Sequence, residues 1–362
     1  MLDGFALEPI SIAFRYNGLH LFEATRNLCE IRMPAVKRAD SQLDLSAYDC
    51  VDGVFTISPP RQFDGGEEAY DEHIGGANRE DLLRSGRGAW QLVERHATRP
   101  VHALLEIGSG GGTCSLGLVS AASPAQTIIT DTSPAFLRMV RRKLVAAKLP
   151  AQEVVLATLA GEDLARLPAS SLDAIVIASA LHHVGDWRGF LRDAASLLRP
   201  GGVLVIQEPC REGNLMMGLA LDIVLSPLWP KDALDEADVQ RIVRCRDSIY
   251  YLADSTIEKD GEDKHSFLIT ELVAGADAAG FARTSFYSNR HFYDLADTDL
   301  ATQRGTCSFV DYLGSFLEAH HRVSSAGMEQ LREHLFPLLQ RIDLRFRAGD
   351  GVPLLGCVVF RR

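Results

Sequence analysis

A glycine-rich turn between an apolar segment and a helix-compatible segment constrains this chain more than any other feature. Residues 104–107 are apolar apart from Glu106, and four of the next five residues, 108–112, are glycine. Glycine permits positive φ and close approach of a ligand, and a following helix offers free N–H groups. Thr113 stands where a dinucleotide fingerprint needs its last glycine, and the Gly-Lys-Ser/Thr of a phosphate loop is absent. The turn alone is therefore compatible with a nucleotide-type site or with a tight structural turn.

Strand and helix patterns alternate downstream of this turn. The pattern predicts strands at 102–107, 127–130, 154–159, 173–178, 203–207, 283–287 and 353–360. Helices are predicted after Thr113, from Ser133-Pro134, over 186–198 and over 267–280. A strand–helix series of this kind favours a parallel sheet with helices on both faces. We therefore predict an α/β fold with a doubly wound, mostly parallel, seven-stranded sheet.

Polar side chains cluster at the predicted carboxyl ends of these strands. In doubly wound sheets, ligands bind at this edge. The sequence therefore indicates one site at this edge, assembled from residues far apart in the chain. Its members, in strand order, are Glu106 with the glycines, Asp131, Glu162 with Asp163, Ser179 with His182 and His183, and Glu208.

Composition excludes several classes of function. The 362-residue chain carries a net charge of −11, which argues against broad binding to a nucleic acid backbone. Seven dispersed cysteines without a Cys-x-x-Cys motif suit a reducing cytosol and give no zinc signature. We find no signal peptide and no apolar run of the roughly 20 residues that a membrane span needs. We expect a cytoplasmic protein with no membrane or nucleic acid partner and no metal.

The chain divides into four predicted regions. Residues 1–75 form a β-rich accessory region, with a hairpin signal at Asn17-Gly18 between alternating runs. Residues 76–210 form the core, 211–265 form a helical cap insertion, and 266–362 complete the core around a second helical insertion at about 289–350. The accessory region is open to three interpretations: a lid, a contact in a homodimer, or a partner-binding module.

The ordered motifs over about 102–210 resemble those of class I S-adenosylmethionine-dependent methyltransferases. The resemblance is greatest to the small-molecule branch that includes ubiquinone and menaquinone biosynthesis enzymes, and it implies a Rossmann-like core. The matching segments are Leu105-Glu106-Ile107-Gly108-Ser109-Gly110-Gly111-Gly112, Asp131, Gly161-Glu162-Asp163-Leu164, Leu172-Asp173, Ala180-Leu181-His182-His183-Val184, and Leu197-Leu198-Arg199-Pro200-Gly201-Gly202.

The resemblance implies roles for individual residues. Glu106, Gly108 and Gly110 would surround the methionine end of S-adenosylmethionine, and Asp131 would accept the ribose hydroxyls. Asp163 or its neighbour Glu162 would bind the adenine amino group. Both are candidates because the Gly-Asp pair of the family is replaced here by Gly161-Glu162-Asp163, which leaves the register ambiguous. Further residues expected to bind the cofactor are Ser109, Thr132, Leu164, Ala178 and Ser179.

The expected activity is methyl transfer to a small-molecule acceptor, with S-adenosylhomocysteine as the product. Methyl transfer depends mainly on alignment, and a base is needed only where the acceptor carries a proton. His182 is the candidate base and His183 a weaker one. The sequence leaves open whether O, N or C is methylated. Its alternatives are a non-methylating reaction such as cyclisation, a macromolecular acceptor, or a non-enzymatic sensor or carrier.

Overall fold

The computed structural model describes most of the chain from Leu43 onward, and the described residues lie in one compact unit. The described ranges are 43–63, 66–74, 79–122, 126–227, 229–230, 234–254, 256–257, 259, 261–296, 307–348 and 353–362. The hairpin predicted around Asn17-Gly18 lies outside them.

Within the described ranges the central sheet has nine strands rather than the predicted seven. In chain order the strands are β1 (Cys50–Val51), β2 (Val54–Thr56), β3 (Ala103–Ile107), β4 (Gln126–Asp131), β5 (Val154–Thr158), β6 (Leu172–Ala178), β7 (Leu198–Pro209), β8 (Arg283–Ser288) and β9 (Leu355–Arg361). Their order in the sheet is β1-β2-β5-β4-β3-β6-β7-β9-β8. The pairs from β2 to β7 are parallel, whereas β1, β9 and β8 pair antiparallel to their neighbours.

The two additional strands come from the region predicted to be a separate β-rich piece. β1 and β2 form a short hairpin, and β2 extends the sheet beside β5 through pairs such as Val54 with Leu156. These strands have two and three residues, too few to produce a readable alternation. The predicted domain boundaries themselves stay predictions.

Helices cover both faces of the sheet, as the alternation predicted. The helices are α1 (Glu67–Ile74), α2 (Arg79–His96), α3 (Ser115–Ala121), α4 (Pro134–Ala146), α5 (Trp187–Leu197), α6 (Arg211–Val224), α7 (Glu236–Ala253), α8 (Ile269–Ala278), α9 (Phe292–Leu295), α10 (Phe309–Ser315), α11 (Ser325–His334) and α12 (Phe336–Ala348). Successive residues of a strand point to opposite faces. Leu104 accordingly packs in the α2 layer, and Leu105 packs against α5 and α8.

The helices of the two predicted insertions share a second hydrophobic core. Side chains from α6, α7 and α10–α12 pack together, including Met217, Ile249, Leu313 and Leu331. Tyr250 on α7 donates a hydrogen bond of 2.6 Å to the carboxylate of Asp222 on α6. In the part of the chain that the structure describes, no helix is both long and apolar enough to cross a bilayer.

Candidate cofactor and acceptor site

The glycine turn after β3 and the end of β4 are joined by the carboxylate of Asp131. Gly110 N donates to Asp131 Oδ2 at 2.8 Å, and Ser133 N donates to Oδ1 at 2.9 Å. Gly108 and Gly110 have φ of +67° and +48°, a conformation that other residues rarely adopt. Burial raises the pKa of Asp131 to about 6. The carboxylate therefore fixes the turn and keeps acceptor capacity for a ligand.

Two buried polar atoms beside this turn make no hydrogen bond of good geometry among the described residues. They are Glu106 Oε2 and Ser109 Oγ, whose residues are only 2% and 6% exposed. Burial raises the pKa of Glu106 to about 7. Leaving buried polar groups unpaired costs free energy, so this cradle is suited to a ligand with hydrogen-bond donors or positive charge.

Helix α1 lies over the glycine turn, a feature the sequence analysis missed. Ser133 Oγ donates to Glu67 Oε1 at 2.6 Å, and Lys143 Nζ donates to Asp71 Oδ1 at 2.5 Å and to Gly111 O at 2.8 Å. Burial raises the pKa of Tyr70, and the charges of Asp131 and Asp263 add to the effect. α1 thus places an aromatic residue and charged groups beside the predicted ribose carboxylate.

The remaining predicted cofactor residues lie at the same edge. Glu162 Oε1 accepts a hydrogen bond of 2.8 Å from Gly185 N, whereas Asp163 pairs with Arg166 at 2.9 Å. Both carboxylates are engaged, and the choice between them as the adenine partner stays open. The other members of the set are Thr132 directly after β4, buried Leu164, Ala178 at the end of β6, and Ser179 with φ of +50°.

His182 is held by a buried glutamate at the end of the neighbouring strand. Its Nδ1 lies 2.7 Å from Glu208 Oε2, and Glu208 Oε1 accepts from Ala180 N at 3.0 Å and Leu181 N at 2.6 Å. Burial disfavours the imidazolium, but the charge and hydrogen bond of Glu208, together with the charge of Asp263, outweigh burial and raise the pKa of His182. With Nδ1–H donating to Glu208, the neutral ring carries its lone pair on Nε2.

Asp263 joins the two histidines from a segment that is remote in sequence. Its Oδ1 lies 3.5 Å from His182 Nε2 and 3.2 Å from His183 Nδ1. Burial and the charge of His182 lower the pKa of His183. Potential ligand atoms of these three residues lie within 4.8 Å of one another, so they could hold a cation. We expected no metal because the histidines and cysteines lack metal-ligand spacing along the chain. Such spacing cannot reveal Asp263, which is remote in sequence, and the absence of a metal stays a prediction.

Comparison with known proteins finds similarity to methyltransferases. Residues 105–204 match a family model described as a methyltransferase domain. The ubiquinone/menaquinone biosynthesis C-methyltransferase of Saccharophagus degradans is 27% identical over 197 residues, covering 54% of this chain and 73% of that enzyme. An uncharacterized 37.1 kDa protein in a transposon of Streptomyces fradiae is 37% identical over 132 residues, or 36% of each chain.

Among solved structures, phosphoethanolamine N-methyltransferase 2 of Haemonchus contortus, in complex with S-adenosyl-L-methionine, superposes with a TM-score of 0.46 at 14% identity. The superposition covers 83% of this chain and 57% of that one. Residues 105–204 thus match a methyltransferase domain, and the largely parallel sheet around them agrees with the resemblance to class I S-adenosylmethionine-dependent methyltransferases.

Proposed function

We propose that this protein transfers a methyl group from S-adenosylmethionine to an acidic carbon of a small-molecule acceptor. The observation that carries the proposal is the His182–Glu208 pair, which lies at the same sheet edge as the glycine turn. A positioned base is useful where the acceptor must lose a proton. The name of the Saccharophagus degradans relative, a C-methyltransferase, favours carbon as the methylated atom.

The cradle beside β3 and β4 fits this cofactor. The buried, unpartnered Glu106 Oε2 suits its cationic methionine end, and Asp131 suits the two ribose hydroxyls. When bound, S-adenosylmethionine supplies an electrophilic methyl group and leaves as S-adenosylhomocysteine. The carboxylates and open glycine backbone would bind and orient it, which is the main requirement for methyl transfer.

The His182–Glu208 pair would remove the acceptor's proton. Glu208 holds the Nδ1–H tautomer, so that Nε2 can accept the proton, and its negative charge stabilises the imidazolium that forms. General-base catalysis of this kind contributes about 10²–10⁴-fold. Tyr312, from the second helical insertion, lies near Glu208. Burial raises the pKa of Tyr312, and the charge of Glu208 makes a smaller contribution to this rise. The insertions thus contribute to the walls around the base.

The test is turnover of S-adenosylmethionine with soluble hydroquinones and β-dicarbonyl compounds, followed by mass analysis of the product. We expect S-adenosylhomocysteine to form together with a product one methyl group heavier. In His182→Ala, kcat/KM should fall about 10²–10⁴-fold while S-adenosylhomocysteine binding is kept. His183→Ala is the matched control and should lose much less. Equal rates in wild type and His182→Ala would refute the role of His182, and product without an added methyl group would refute methyl transfer.

A further inference from the structure

A cavity rich in cationic side chains adjoins the His182 turn, and its role is not explained by the cofactor site. Its volume is about 430 Å³, within the range of small-molecule pockets. We name it the basic cavity. Its lining includes the polar residues Arg188, Arg211, Lys259, Lys264, Ser266 and Glu271.

The charge of this lining is opposite in sign to that of the whole chain. Among the described residues the lining has four lysine and arginine side chains and one carboxylate, Glu271, whereas the chain carries a net charge of −11. Arg211 lies 3.1 Å from the carboxylate of Glu271, and Arg188 stacks on Trp187. The nearby carboxylate of Asp254 accepts from Thr256 and does not line the cavity.

The two lysines keep donors for a ligand. Lys264 Nζ donates to Lys259 O at 3.2 Å, which uses one of its three protons. Lys259 is only 8% exposed, and its Nζ donates to the carbonyls of Asp254 and Ile257. The ammonium also interacts with the charge of the Asp254 carboxylate and lies 5.7 Å from the Tyr251 ring, and its bonds to neutral carbonyl oxygens leave it able to bind a further anion.

Ser266 supplies an independent sign of a ligand. It is 6% exposed, and its Oγ has no hydrogen-bond partner among the described residues. A buried hydroxyl normally finds a partner, and here it lies in the wall of the basic cavity beside Lys264. A hydroxyl and ammonium groups together form a donor set that suits a tetrahedral oxyanion.

The basic cavity is joined to the turn that carries the base. Lys264 N and His265 N donate to His182 O at 2.8 and 3.1 Å, and His265 Nε2 lies 2.9 Å from Gly185 O. We propose that the basic cavity binds a phosphate group of the methyl acceptor, which would anchor the acceptor beside His182. This inference rests on the proposed methyl transfer for the identity of the ligand.

The experiment is calorimetric titration of the full chain with inorganic phosphate at constant ionic strength, followed by titration of the same sample with S-adenosylhomocysteine. We expect saturable phosphate binding in the millimolar range or tighter. Lys264→Gln should weaken it about tenfold or more, because a charge-assisted hydrogen bond is lost. Ser266→Ala should weaken it by a factor of about 2 to 10. Arg345→Gln removes one exposed charge on α12 and is the control that should leave phosphate affinity unchanged.

The outcomes separate this inference from the proposed function. Absence of saturable phosphate binding, with normal S-adenosylhomocysteine binding, would overturn the phosphate site alone. Loss of S-adenosylhomocysteine binding as well would overturn the methyltransferase proposal. Equal phosphate affinity in Lys264→Gln and Arg345→Gln would also overturn the phosphate site. If Lys264→Gln fails to fold, a phosphate affinity of Ser266→Ala equal to that of the wild type would overturn the phosphate site.

Discussion

Replacing Glu208 by glutamine tests whether the carboxylate sets the tautomer of His182. One oxygen of Glu208 accepts from two backbone amides, Ala180 N and Leu181 N, and the other lies 2.7 Å from His182 Nδ1. In Glu208→Gln the amide oxygen must stay with the two backbone donors. The side-chain NH₂ then faces Nδ1, which favours the tautomer with the proton on Nε2, where it cannot accept a proton from the acceptor.

The two backbone donors at Glu208 determine the size of this change. Turning the amide around would restore the active tautomer, but it would set the NH₂ group against the two backbone N–H groups. Leaving buried donors unsatisfied costs about 1–3 kcal/mol. The active tautomer should therefore be reduced about 5- to 150-fold, at 1.36 kcal/mol for each factor of ten. The whole contribution of a base, about 10²–10⁴-fold, is the upper limit for the loss.

The assay is kcat/KM against pH for the wild type, Glu208→Gln, His182→Ala and the double variant. Because the charge and hydrogen bond of Glu208 help to raise the pKa of His182, the acid limb of the remaining Glu208→Gln activity should move to lower pH. In the His182→Ala background, Glu208→Gln should cause little further loss, because the two residues act as one unit. An unchanged pH profile in Glu208→Gln, or losses that multiply fully in the double variant, would refute this reasoning.

Three further predictions concern the cofactor cradle and the metal. Lys143→Met removes the bonds from Lys143 to Asp71 and Gly111 and should raise the dissociation constant of S-adenosylhomocysteine by a factor of about 2 to 5, whereas exposed Arg142→Met should not. Cofactor affinity in calorimetry should increase as pH rises through about 6, because Asp131 then ionises and becomes the better acceptor; constant affinity would contradict this. Turnover should be the same before and after treatment with a chelator, and a loss restored by a divalent cation would contradict the expectation of no metal.

The sequence predicted those parts of the site that short local patterns encode. The glycine turn follows the five residues of β3, Asp131 is the last of the six residues of β4, and the parallel sheet brings these strand ends together. Glu208 was expected at the carboxyl end of the predicted strand 203–207, and it lies near the end of β7. Its bond to His182 could not be predicted, because the distance between the two side chains depends on the adjacent packing of β6 and β7.

Other parts of the site have no recognisable pattern in the local sequence. Asp263 reaches His182 across 81 positions through a segment fixed by backbone bonds to the histidine turn. Helix α1 has eight residues, of which four are acidic, so it shows little apolar periodicity. It is fixed instead by Glu67 and Asp71, whose partners lie on or beside α4. Long-range pairings of this kind are determined by tertiary packing rather than by residue pattern.

Calorimetric titration with S-adenosylhomocysteine tests the central claim most directly, namely that carboxylates at the sheet edge form a pocket for this nucleoside. The wild type should bind one molecule per chain, and Asp131→Ala should bind about tenfold or more weakly, because hydrogen bonds from the ribose to a carboxylate are lost. Asp49→Ala, which removes an exposed carboxylate near β1, should bind like the wild type. Failure of the wild type to bind at millimolar concentration, or unchanged affinity in Asp131→Ala, would contradict the claim.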